Sequence, residues 1–137
     1  MPFFLLLGGA ALAVLIPILL FIILVYRWVA ADEDSIRILR TEDALKKLRR
    51  IVVPQKVWDI VQGDKSLKAD LEDAGVKIKV QQVEEGSPVI KSLIKQVNLS
   101  VLSAQAVEAA RLKKLKYAWI EGKRVETKEL LKQIGTA

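Results

Sequence analysis

The stretch Arg111-Leu112-Lys113-Lys114-Leu115-Lys116-Tyr117-Ala118-Trp119 sets four cations beside two aromatic rings. Cations grip phosphates by charge, and rings interleaved with them can stack on bases. A plainer role competes with this one. Cations in the last turn of a helix complement its dipole, and Trp119 beside Ile120 suits a core strand. A second basic run, Lys46-Lys47-Leu48-Arg49-Arg50, lies in the first half of the chain. Arg49, Arg50, Arg111, Lys113, Lys114 and Lys116 are therefore the candidate phosphate contacts.

Carboxylates cluster at Asp32-Glu33-Asp34, at Asp70, Glu72 and Asp73, and at Glu84-Glu85. Paired carboxylates can do acid–base work or hold hard cations. None of these has the spacing or the central glycine of a calcium loop, and each falls at an expected helix end or turn, where acids are solvated. Gly63-Asp64-Lys65-Ser66 contains a Lys-Ser pair without the upstream glycine of a phosphate-binding loop. The chain has no cysteine, so a disulfide, a thiolate nucleophile and a Cys-ligated metal are all excluded. It has no histidine, the usual general base near neutral pH. No dinucleotide fingerprint and no nucleophile elbow is present. The expectation is a protein that is not an enzyme, with no cofactor, no metal and no evident small-molecule substrate.

The elements that must position these residues begin with an apolar run. Phe3 to Val25 has no charged or strongly polar side chain. As helix its 23 residues would cover ~34 Å, against a hydrocarbon core of ~30 Å. It is too long for a signal-peptide core and has no basic flank before it. The reading is a single N-terminal transmembrane helix, with residues 1–31 as anchor and interfacial flank. Tyr26, Arg27 and Trp28 would sit at the membrane interface. Gly8, Gly9 and Ala13 would offer a small-residue surface for helix–helix contact, a second copy or another membrane protein being the partner. All but Arg27 of the 22 Lys and Arg lie after Ala31. That asymmetry places the N-terminus outside and the C-terminal domain on the cytoplasmic or equivalent side.

Residues 32–137 read as a small, mainly helical α+β domain with one short sheet. Ser35 to Val53 reads as one basic amphipathic helix, ended by Pro54. Residues 76–83 alternate and read as a strand; 117–120 and 123–126 read as two more around a turn. Helices are expected after Asp64, after Ser87, from Leu99 to Lys116, and after Thr127.

Two functional readings follow. The first is a structural or accessory subunit of a larger membrane assembly, docking partners through its anchor and its basic domain. The second is a membrane-tethered binder of a polyanion, nucleic acid or acidic lipid, for example an inner-membrane protein of a membrane-containing virus. An enzyme with a histidine-free site ranks third.

Overall fold

The computed structural model describes residues 13–20 and 27–135. Residues 13–20 are helical, α1, and the apolar side chains Val14, Leu15, Ile16, Ile18, Leu19 and Leu20 are exposed. The remainder is built on a five-stranded mixed sheet in the order β3-β2-β1-β4-β5. Its strands are β1 (Val29–Ala31), β2 (Arg50–Pro54), β3 (Lys77–Gln81), β4 (Tyr117–Ile120) and β5 (Lys123–Glu126). The first four are parallel, and β5 returns antiparallel to β4.

Helices cover both faces. On one face α2 (Glu33–Thr41), α3 (Gln55–Gly63) and α4 (Lys65–Asp73) bury Ile36, Leu39, Val57, Val61, Leu67 and Leu71 against Val29, Ala31, Ile51 and Val53. On the other, α5 (Pro88–Gln96), α6 (Val101–Leu112) and α7 (Thr127–Gln133) pack Ile90, Leu93, Val107, Ala110 and Leu131 around Ala30, Ala118 and Ile120. The alanine-rich face of α6 matters here. Ala104, Ala106, Ala109 and Ala110 are fully buried, and small side chains let α6 lie close on the sheet. Each apolar group counts, at about 25 cal/mol per Å² removed from water.

Several expectations are corrected. Among the described residues no helix is long and apolar enough to cross a membrane. The described part of α1, residues 13–20, covers about 12 Å against the ~30 Å a span requires. The transmembrane element of the expected fold, its single-pass placement and its N-outside orientation fall with that finding. Residues 1–12 and 21–26, including Gly8, Gly9 and Tyr26, lie outside the described residues; Ala13 lies in α1. The sheet is also larger than expected. Val29-Ala30-Ala31, read as the flank of an anchor, is the central strand β1. The single helix expected over Ser35 to Val53 divides into α2, a 3-10 turn (Leu45–Lys47) and β2. Asp43 and Arg49 both adopt positive φ, 54° and 49°, which no α-helix allows.

Candidate functional site

In an open parallel sheet the crevice for chemistry lies beyond the carboxyl ends of the strands, where the strand order reverses. Here that point is between β1 and β4. The residue leaving β1 is Asp32, 1% exposed. It caps α2: its Oδ1 accepts from the Ser35 N–H at 2.8 Å. Its Oδ2 accepts from the Ser103 hydroxyl at 2.7 Å and from the Glu121 N–H at 3.1 Å. Ser35 Oγ in turn accepts from the Gly122 N–H at 2.9 Å. Asp32 thereby ties β1, α2, α6 and the β4–β5 turn together. Its neighbour Asp34 titrates above the usual carboxylate range, chiefly because burial penalises its charge and then because Asp32 and Glu33 repel it. Among the described residues no group of three or more His, Cys, Asp or Glu could hold a metal ion.

The opposite end of the sheet is different. The amino ends of four parallel strands gather residues that are far apart in sequence. Arg27 and Trp28 precede β1, Arg50 opens β2, Lys77 opens β3, and Lys116 and Tyr117 enter β4. The 3-10 turn adds Lys46 and Lys47, followed by Arg49, and β5 adds Arg124. Lys46, Lys47, Arg49, Lys77, Lys79, Lys116 and Arg124 are all exposed. Among the described residues no ion pair neutralises any of these seven. Several acids are engaged elsewhere, while Asp43 and Asp73 line a cleft with Lys46. Arg37 pairs with Glu33 at 2.8 Å and Asp64 at 3.2 Å, Arg40 with Asp70 at 2.6 Å, and Lys56 with Glu85 at 2.6 Å. Arg37 is held further on its charged side, first by its Glu33 hydrogen bond.

Aromatic rings hold the cations in place. Lys79 Nζ lies 4.4 Å from the centre of the Trp28 ring, and the Arg50 guanidinium lies 5.7 Å from it. Arg124, Lys116 and Arg27 surround Tyr117 at 4.7, 5.4 and 5.8 Å. Each such contact contributes ~0.5–1 kcal/mol at an exposed site.

Between the 3-10 turn and the β4–β5 hairpin runs a groove in two overlapping parts of about 320 and 560 Å³. Its walls are Lys46, Lys47 and Arg49 on one side and Arg124 on the other; Val29, Tyr117 and Trp119 line it as well. Trp119 and Arg124 are direct cross-strand partners, so this placement follows from the register of the hairpin. One nitrogen of Arg27, Nη1, is buried and has no hydrogen-bond partner among the described residues.

The six candidate phosphate contacts are thus divided. Arg49 and Arg50 belong to the amino-end surface, and Lys116 joins it over Tyr117. Arg111 is bound to buried Glu108 at 2.5 Å. Arg111 and Lys114 line a separate cleft between α6, β5 and α7, while Lys113 is the C-cap of α6. Arg27 and Trp28 pack on the domain's own side chains. Sequence reasoning did not single out Lys77, Lys79 or Arg124 as contacts. They come from different segments, and the ring contacts that gather Lys79 onto Trp28 and Arg124 onto Tyr117 leave no signal along the chain. Comparison with known protein families, curated proteins and solved structures finds no match to this chain.

Proposed function

We propose that this domain is a non-enzymatic binding module whose partner is a polyanion, held on the amino-end surface. One observation carries the reading. Cations from five separate segments converge there, and seven of them are exposed and outside every ion pair among the described residues, although Asp43 and Asp73 stand beside Lys46 and Glu126 stands across from Tyr117. Bringing like charges together opposes folding, and the ring contacts offset only part of that repulsion. A cluster that folding does not need is best explained by an anionic partner. The other end of the sheet supports the reading from the opposite side, since Asp32 spends its acceptor capacity on structural hydrogen bonds.

The test uses the full chain in a non-ionic detergent and a labelled oligonucleotide, titrated over a salt series. Four engaged phosphates would give a log–log slope of about −3 for a single strand and about −4 for a duplex. Changing Lys47 and Arg124 to Gln should flatten that slope by ~1–2. Absence of binding at low salt overturns the proposal. A second reading, an accessory subunit of a larger assembly, is favoured by the exposed apolar side chains of α1. Recovery of the same protein partners by the wild type and the two-Gln variant would support it.

A further inference from the structure

We propose that the groove between the 3-10 turn and the β4–β5 hairpin takes a single nucleic-acid strand, with a base laid against Trp119 and phosphates on Lys46, Lys47, Arg49 and Arg124. The inference rests on the polyanion reading and narrows it to one partner class. Its argument is the arrangement of aromatic and cationic groups. A duplex presents phosphates on its outside and keeps the faces of its bases stacked. An aromatic floor between cationic walls therefore meets complementary chemistry only in a strand whose bases are unstacked. Tyr117 is ringed by three cations, so it fixes charge positions. Trp119 lines both parts of the groove and is half-buried, so its ring is held by the core while part of it faces the groove.

The groove is lined by Arg and Lys but by no Asn, Gln, Asp or Glu, so the base-edge contact its side chains offer is a cation on guanine.

The experiment compares a thymidine strand of about twelve nucleotides, within the site sizes of known single-strand binders, with a duplex of the same length. The protein is the full chain in non-ionic detergent. Single-strand affinity should exceed duplex affinity roughly tenfold, the effect of one stacked base. Trp119→Leu should remove that advantage and leave duplex affinity unchanged. Because a variant that failed to fold would lose both, the duplex serves as the internal control. A protein with Trp28→Phe and Trp58→Phe leaves Trp119 as the sole indole. Its emission should fall on adding the strand and recover on adding salt. Equal or tighter duplex binding, or equal losses on both ligands in a Trp119→Leu protein that keeps the wild-type melting transition, overturns the single-strand inference while the polyanion reading stands. If neither ligand binds at low salt, both are overturned.

Discussion

Asp32 and Gln105 are both buried polar side chains, and substitution should move stability in opposite directions. Asp32 accepts three hydrogen bonds from three different elements. Asparagine cannot replace it. An amide nitrogen at the Oδ1 position would face the Ser35 N–H, and one at Oδ2 would face the Glu121 N–H, a donor against a donor either way. Asp32→Asn should cost about 2–4 kcal/mol, measured as a shift in denaturation midpoint, since hydrogen bonds to a charged acceptor are worth ~1.5–3 kcal/mol each. A loss under 1 kcal/mol would show that the hub is dispensable. Gln105, 1% exposed, leaves both side-chain polar atoms without a partner among the described residues. Methionine has nearly its shape and no such need. Gln105→Met should raise stability by ~1–3 kcal/mol, the desolvation cost of an unmade hydrogen bond. An unchanged or lower midpoint would mean that the amide is satisfied in solution.

Turns and caps decide the elements. The β4–β5 loop is two residues, Glu121 and Gly122, with φ of 53° and 82°. Two central residues at positive φ are what a type I′ hairpin turn requires, and glutamate is a poor choice for the first. Glu121→Asn should stabilise by ~0.5–1 kcal/mol, because asparagine tolerates the left-handed region and the backbone N–H to Asp32 is retained. A side chain at Gly122 would be strained at φ 82°, and its Cβ would stand 3.0 Å from both Cδ1 and Cγ2 of Ile38, which would have to give way. At α4 the cap is Asp64, held below the usual carboxylate range first by the Leu67 N–H and then by Arg37. Its folded-state pKa lies below the unfolded value. Its stabilisation is therefore present above the ordinary carboxylate range and lost as pH falls through the folded pKa. Asp64→Asn keeps the cap without the titration. The variant should melt below the wild type at neutral pH, and the gap should close in acid. A gap that persists in acid would assign the effect to packing instead. These elements were unequally legible in the sequence. β4 and β5 were visible because short strands flank a tight turn, and β3 because an edge strand alternates. β1 and β2 were hidden because strands buried on both faces read as plain apolar runs. Val29-Ala30-Ala31 merges into the run before it, and Ile51-Val52-Val53 continues a helical pattern that Arg49 ends by positive φ.

At the scale of the molecule, charge is sorted between the ends of the sheet. Acids and hydroxyls collect where β1 and β4 end, and cations collect where the parallel strands begin. This polarity was not legible in the sequence, where the overall balance of 22 bases to 16 acids is moderate. The local run from Arg111 to Lys116 drew attention because it is dense. The folded chain divides it: Arg111 turns to Glu108, while Lys47 and Arg124, 77 positions apart, face each other across one groove. Density along the chain and density in space thus make different predictions, and one pair of variants separates them. Lys113 and Lys114 are adjacent and exposed at the end of α6. Changing both to Gln removes the same formal charge as changing Lys47 and Arg124 to Gln. Net-charge attraction would therefore weaken equally in the two variants. Contact with phosphates in the groove would not. The Lys113/Lys114 variant should keep the wild-type salt slope, whereas the Lys47/Arg124 variant should lose ~1–2 from it. Thermal melting of the Lys113/Lys114 variant should stay close to wild type, because exposed charges near a helix end contribute ~0.3–1 kcal/mol at most. The Lys47/Arg124 variant should lose in addition only the ~0.5–1 kcal/mol of the Arg124–Tyr117 ring contact. Equal slopes in the two variants would mean that binding responds to total charge, and that the groove has no privileged part in it.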